Sequence, residues 1–329
     1  MRKLVLIFMA AFMVMAAASC TKDNGGNDNA NDGIFNPSKK IHKVYYQDST
    51  IETKEMCELW SWNGSKLESI KVGYGSSVYW TEYFTYEDNI LVRTNDDDYE
   101  YADFTYRDGR LYKISVYIGS ELAADYTYIY GADNKVSEIS VVFYYDEEEE
   151  KSFEKHLNPL RLFLPEEICD RVDENRHRHA SKGRGTMDTE TGTISLTWSG
   201  DNIGRVYYDL KYEFEENGCS YVENTTLEIT MQYDTKRNPR KGLHSLIDSE
   251  GLSGNVAIFY GKNNVKDYCY TLYDAEYANG VLNPQSYSEN GEYHCSFEYD
   301  RDDYPVTIHR TVIDKFGNNK TDAYFYEYL

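Results

Sequence analysis

Cysteines, histidines and clustered carboxylates are the side chains from which chemistry could be built here. Besides Cys20, the cysteines are Cys57, Cys169, Cys219, Cys269 and Cys295, and none of their spacings matches a metal-ligand pair. Their odd count argues against a complete disulfide framework, so isolated buried thiols are expected. His177 and His179 flank Arg178 in a basic stretch, where a metal would need further ligands from elsewhere. Asp96-Asp97-Asp98 lacks the spaced oxygens of a calcium loop and reads as a charged turn. Neither Gly-x-Ser-x-Gly nor His-Glu-x-x-His occurs. Among 56 acidic residues no pair is singled out for glycoside hydrolysis. The chain is therefore read as a non-enzyme without metal or cofactor, a hydrolase being the remote alternative. Recognition chemistry is left to the aromatics. Tyr74, Tyr79 and Trp80 lie near turn signals and are candidates for stacking on sugar rings; a cross-strand ladder that stabilises a sheet is the simpler role.

The elements that would carry such residues are strands. Aromatics make up 15% of the chain, with 33 Tyr and 6 Pro, a composition suited to half-buried strands. A net charge of −22 repels phosphate backbones and excludes nucleic acid as an expected partner.

One unit recurs. In Phe104–Ile118, alternating aromatics lead into Asp108-Gly109, and Leu111, Ile114, Val116 and Ile118 follow, a hairpin signal. Similar units surround Trp60-Ser-Trp62-Asn63-Gly64, Phe84–Val92 and Tyr126–Val141. Their second aromatics, Trp62, Tyr86, Tyr106 and Tyr128, fall 20 to 24 residues apart, which marks a repeat architecture. In the first three units even-numbered residues dominate both flanks, so an odd number of loop residues is expected. For the third unit this means a three-residue bulged turn, Asp108-Gly109-Arg110, pairing Tyr106 with Tyr112 and Phe104 with Ile114. Gly109 would be left-handed, and Gly64 is the equivalent turn residue of the first unit. Similar signals resume at Thr193 and run to Phe325–Tyr328.

At the N-terminus, Arg2-Lys3, an apolar run over Leu4–Ala18, and Ala17-Ala18-Ser19-Cys20 resemble a bacterial lipoprotein signal. The resemblance implies cleavage before Cys20 and lipidation of that residue, including palmitate, with Ala17 standing where Leu is usual. The acidic tether beginning at Asp23 is similar to signals for export to the outer cell surface, so the cell surface and the periplasmic face both stay open.

The motif aromatic-x-Tyr-Asp/Glu-x-Gly/Asn-x-Leu/Val-x-x-Ile, best matched at Phe104–Ile114 and Phe297–Ile308, resembles the YD repeat of Rhs and wall-associated proteins. Together with Tyr233–Pro239 and the closing Phe325–Tyr328, the chain is similar to uncharacterised bacterial lipoproteins related to those repeats, with a domain of unknown function. The resemblance implies no catalytic residues.

The expected organisation is a signal peptide (1–19), a lipidated Cys20 with a flexible tether (20–40), a first run of hairpins (41–145), an acidic and polar insertion (146–192) and a second run (193–329). The fold class is all-β: an antiparallel meander of repeated β-hairpins, a YD-repeat-like twisted or curled sheet, with one or two short helices near 156–168 and 242–249. The functional expectation is a non-catalytic outer-membrane lipoprotein, an interaction or scaffold module held by Cys20, with another envelope protein or a glycan as partner. The alternative is a glycan-binding accessory protein.

Overall fold

The structure is a computed structural model and describes residues 33–48, 53–96, 100–144, 189–216, 218–244, 260–283, 286–313 and 316–329. Its elements are β-strands. The first half contains β1 (Ile41–Asp48), β2 (Glu55–Asn63), β3 (Lys66–Tyr74), β4 (Ser77–Glu87), β5 (Ile90–Asn95), β6 (Glu100–Arg107), β7 (Arg110–Ile118), β8 (Glu121–Tyr130) and β9 (Val136–Tyr144). The second contains β10 (Thr189–Ser199), β11 (Asn202–Glu216), β12 (Cys219–Tyr233), β13 (Val265–Ala278), β14 (Val281–Leu282), β15 (Tyr287–Tyr299), β16 (Pro305–Ile313) and β17 (Asn319–Tyr328).

The sheet closes. Each strand pairs antiparallel with its sequence neighbour, β9 pairs with β10, β13 pairs with β15, and β17 returns to pair with β1. The result is a barrel of sixteen strands, with β14 a two-residue addition to β13. This overturns the expected open or curled meander. Local signals for hairpins are the same in both architectures, and the deciding contact, Ile41–Asp48 against Asp322–Tyr328, joins the two ends of the chain. The helix expected near 156–168 lies outside the described residues. Of 242–249, residues 242–244 form turn and coil and the rest lie outside them. Strand structure resumes at Thr189, ahead of the expected Thr193.

Hairpin geometry also differs from expectation in one step. Phe104 pairs with Ile114 as expected, but Tyr106 pairs with Leu111 and Arg107 with Arg110. The loop is two residues, Asp108 and Gly109, at φ +52° and +72°, the positive values of a type I′ turn. The extra residue needed for parity is Tyr112, which forms a bulge inside β7. The bulge recurs: Trp62 pairs with Leu67, Tyr86 with Leu91 and Trp198 with Ile203, each beside a register shift. In the fourth unit Tyr130, not Tyr128, holds the position, opposite Val136. A five-residue loop there moves the equivalent aromatic two places along.

These pairs form a girdle at one end of the barrel. Its eight aromatics are Trp62, Tyr86, Tyr106, Tyr130, Trp198, Tyr233, Tyr299 and Tyr328. Their partners are Leu67, Leu91, Leu111, Val136, Ile203, Val265, Pro305 and Ile41. Seven of the eight aromatics tie their hairpin to the preceding one through its backbone. The indole of Trp62 donates to the Ile41 carbonyl at 2.7 Å, Tyr106 to Leu91 at 2.8 Å, Tyr130 to Leu111 at 2.6 Å and Trp198 to Val136 at 2.7 Å. Tyr233 donates to Ile203 at 2.8 Å and Tyr328 to Pro305 at 2.7 Å, and Tyr86 hydrogen-bonds the Leu67 backbone. The eighth hairpin is assembled from both chain ends, β17 and β1, so closure uses the same device as every other joint.

Inside and outside have opposite character. Apolar residues point inward along every long strand, among them Trp60, Ile70, Leu111, Ile139, Tyr208 and Leu272, all nearly inaccessible. A barrel of this strand number is wider than its own wall side chains fill. Two further segments complete the core from the girdle end. Phe35 lies against Trp60 and Trp62, so packed structure reaches back into the expected tether. His244 and Tyr260 contact Phe104, Trp198 and each other. The outer face carries cross-strand ion pairs: Arg93–Asp103 at 2.6 Å, Lys113–Asp125 at 2.7 Å and Arg205–Glu228 at 2.7 Å.

Candidate functional site

The girdle is interrupted in one sector. Most of its turns have two to five residues, but β12 and β13 are joined by 234–264. The first part of this loop is braced by its own polar residues. The Asp234 carboxylate accepts from the Lys236 and Asn264 amides at 2.9 and 3.0 Å, and from the Tyr299 hydroxyl. Tyr299 thus turns to the loop, where its seven counterparts bond the preceding hairpin. Asn238 accepts from the Arg240 amide at 3.0 Å and donates to the Gly261 carbonyl at 2.9 Å. The Asp and Asn of Tyr233–Pro239 are therefore scaffold residues, and they carry Arg240 into the barrel.

Arg240 is 3% exposed. Its Nη2 donates to both Glu58 oxygens at 2.8 and 2.9 Å, and its guanidinium lies 5.1 Å from the Trp60 ring centre. The Trp60 indole donates to the same Glu58 carboxylate at 2.7 Å. Burial alone would lower the Arg240 pKa, but Glu58 and Tyr326 outweigh it and hold the group charged. A second buried pair lies on the neighbouring wall. Arg310 Nε donates to Asp322 at 2.9 and 3.2 Å, Nη2 bonds the same carboxylate, and Nη1 has no hydrogen-bond partner. Such pairs seldom stabilise a fold relative to apolar packing, so two of them in one interior call for a further reason.

Between residues 238–240 and the inner wall of β13, β15, β16 and β17 lies a cavity of about 60 Å³, part of it open to solvent. Its apolar wall is formed by Val265, Tyr268, Tyr293, Phe297, Pro305 and Ile308. Arg240, Lys266 and Arg310 also line it. Cys295 reaches the same space, and burial pushes its thiol up to about 12, which makes it a poor nucleophile.

The residues singled out by sequence lie elsewhere. Trp80 pairs with Val72 and is half-buried against the core, so its ring serves packing. Tyr74 pairs with Ser77 at a hairpin end, and Tyr79 is the extra residue where the β3–β4 register shifts. Gly64 and Gly109 are turn residues at φ +58° and +72°. Cys20 lies outside the described residues, as do Cys169, His177, His179, Asp97 and Asp98. Of the other cysteines, Cys57 is buried, Cys219 and Cys295 are half-buried, and Cys269 is exposed, contrary to the expected set of buried thiols; none of the four forms a disulfide among the described residues. No group of metal-binding side chains occurs among the described residues. The cavity was missed because its residues come from five separate stretches. The signal available was the break in the repeat after Tyr233.

No family model and no curated protein matches the chain, so the likeness to YD repeats has no family-level support. Two solved structures are similar in outline. A porin-like protein from Bacteroides vulgatus covers 88% of this chain and 99% of its own, at 13% identity and a TM-score of 0.43. A porin-like protein from Bacteroides uniformis covers 88% and 98%, at 7% identity and a TM-score of 0.31.

Proposed function

We propose that this chain is a non-catalytic envelope module, held at a membrane by a lipid on Cys20, whose barrel stands in water and does not cross the bilayer. The observation that carries this reading is the outer face. A barrel in lipid presents an apolar band roughly 25 Å tall, and a single Lys or Arg at mid-depth costs about 2–4 kcal/mol there. Here Lys71 and Lys211 are exposed well inside β3 and β11, and Arg93, Lys113 and Arg205, each two residues from a girdle pair on the outer face, are paired with carboxylates. Among the described residues, the exposed large apolar side chains Val78, Ile129, Val281, Leu282 and Phe316 lie at or beside strand ends, and Tyr83 in β4 sits mid-strand. Membrane attachment must then come from outside the wall, and the lipoprotein-like signal ending at Cys20 would supply it.

Fractionation of the producing cell tests this. Wild-type chain should remain with membranes after alkaline carbonate washing and leave them in detergent, and Cys20→Ala should be released without detergent. A Cys20→Ala protein that still needs detergent would contradict the reading.

A further inference from the structure

We propose that the girdle end of the barrel is a docking face for the anionic headgroup layer of the membrane that carries the Cys20 anchor, so that the tethered barrel stands on that end. This rests on the tethered-module reading and adds an orientation to it. The point of attachment is the first argument. The Gly33 carbonyl accepts from the Leu91 amide at 2.9 Å, and a side chain at Gly33 would collide with Tyr106, a girdle aromatic. Phe35 is held against Trp62. Residues 21–32 separate this fixed point from Cys20, a stretch that reaches at most about 40 Å. The anchor therefore holds the girdle end, and charge decides how the barrel stands.

Charge is an independent argument. Lys40 lies 5.3 Å from the Trp62 ring centre, Lys66 5.6 Å from Tyr86, Arg110 4.5 Å from Tyr130 and Lys135 5.0 Å from Trp198. Each cation is the residue just before the aliphatic girdle partner of the preceding hairpin, so this ring of charge follows from the same repeat as the girdle. Of these four, Lys135 has an acidic partner within 4 Å among the described residues, Asp201 at 3.7 Å. Lys39 and Lys236 lie at the same end but are paired with Asp300 and Asp303. The connections at the opposite end are acidic, with Asp96-Asp97-Asp98, Glu121 and Asp146-Glu147-Glu148-Glu149-Glu150 among them. In physiological salt a field fades within about 8 Å, so a headgroup layer senses the near end and not the net charge of −22. Anionic headgroups attract cations at their surface. A few cations, partly offset, are too weak to retain an untethered barrel. A tether raises the local concentration to roughly millimolar, where the same contact sets orientation.

The acylated full chain would be placed on vesicles of phosphatidylglycerol and phosphatidylcholine and treated with an amine-acetylating reagent. Mass spectrometry reads the rate at each lysine, at low salt and at about 0.5 M salt, where the contact is screened. Relative to the same ratio in neutral detergent, Lys40, Lys66 and Lys135 should react about threefold or more slowly at low salt. Lys54 and Lys320, at the opposite end, should change little. Lys40→Gln combined with Lys66→Gln, with an unchanged circular dichroism spectrum, should remove most of the protection of Lys135. Co-flotation with the vesicles scores the anchor separately. Where the acyl chain is missing, a histidine tag before residue 20 and a nickel-chelating lipid hold the same chain, so the face is still judged. Equal ratios at both ends, or protection of Lys54 and Lys320, would overturn the proposal.

Discussion

Two sectors of the barrel are built from the same parts and put them to different use. From β2 to β9 the hairpins follow one rule. An aromatic before each turn pairs with an aliphatic after it, a bulge restores the facing, and the aromatic's polar tip bonds the previous hairpin. From β12 to β16 the rule bends. Residues 234–264 stand where a short turn would be, Tyr299 bonds Asp234 and not a neighbouring hairpin, and two buried arginines appear. The regular sector fills its interior mainly with apolar side chains, although Glu58 and Glu82 are buried in it as well. The interrupted sector keeps ion pairs in low-dielectric surroundings and leaves a cavity beside them. Regularity here builds the wall, and departure from it buries Arg240 and Arg310 with their carboxylates.

The comparison can be broken most forcefully at the joint that closes the ring. Deleting Phe325–Leu329 removes Tyr328, the girdle aromatic of β17, and the pairing of Ile41 through Tyr45. Such a chain should lose its cooperative thermal transition altogether, as read by circular dichroism. Retention of a sharp transition would mean that the two chain ends are dispensable for closure.

Next in size is the interrupted sector's charge. Arg310→Met leaves Asp322 buried and unpaired and should destabilise by about 3–5 kcal/mol in urea unfolding. The double variant Arg310→Met with Asp322→Leu should recover most of that loss, because it removes both desolvated charges. A Leu111→Ala control in the apolar core should lose about 2–5 kcal/mol, with no charged partner whose removal would rescue it.

Smaller differences should separate the two kinds of girdle tyrosine. Tyr106→Phe loses a neutral bond to a carbonyl, about 0.5–1.5 kcal/mol, while Tyr299→Phe loses a bond to a carboxylate, about 1.5–3 kcal/mol. Equal values would mean that the Asp234 contact adds nothing to the interrupted sector.

The smallest effect is on the outer face. His294 Nδ1 lies 2.9 Å from Asp267, and this bond raises its pKa above 6.5, with burial opposing and Glu292 adding. Because the folded value is raised, the stabilisation is complete below the ordinary histidine pKa and is lost as pH rises through the folded value. Proton NMR should place the His294 midpoint above 6.5, and Asp267→Asn should lower it. An unchanged midpoint would remove Asp267 as the cause.

Much of the wall was legible in the sequence. The aromatic–turn–aliphatic unit of Phe104–Ile118 was visible because a hairpin is a local object, but parity, read as a three-residue turn pairing Tyr106 with Tyr112, is met instead by a bulge. Its location was not legible: the two-residue Asp108-Gly109 turn moved the bulge to Tyr112. Closure was hidden because Ile41–Asp48 and Asp322–Tyr328 stand at opposite ends of the chain. The cavity was hidden for a related reason. Arg240, Lys266 and Arg310 look like ordinary surface cations in sequence, and only the inward turn after Asn238 and the inward face of β16 show that two of them are buried.

The central claim is that this barrel turns a charged wall to water and an apolar, partly hollow interior to itself. The most direct measurement is the state of the full chain carrying Cys20→Ser in detergent-free buffer, by size-exclusion chromatography with light scattering, alone and after incubation with phospholipid vesicles. The account requires a folded, monodisperse, soluble protein that stays out of the vesicle fraction. A chain that aggregates without detergent and folds on entering vesicles would contradict it.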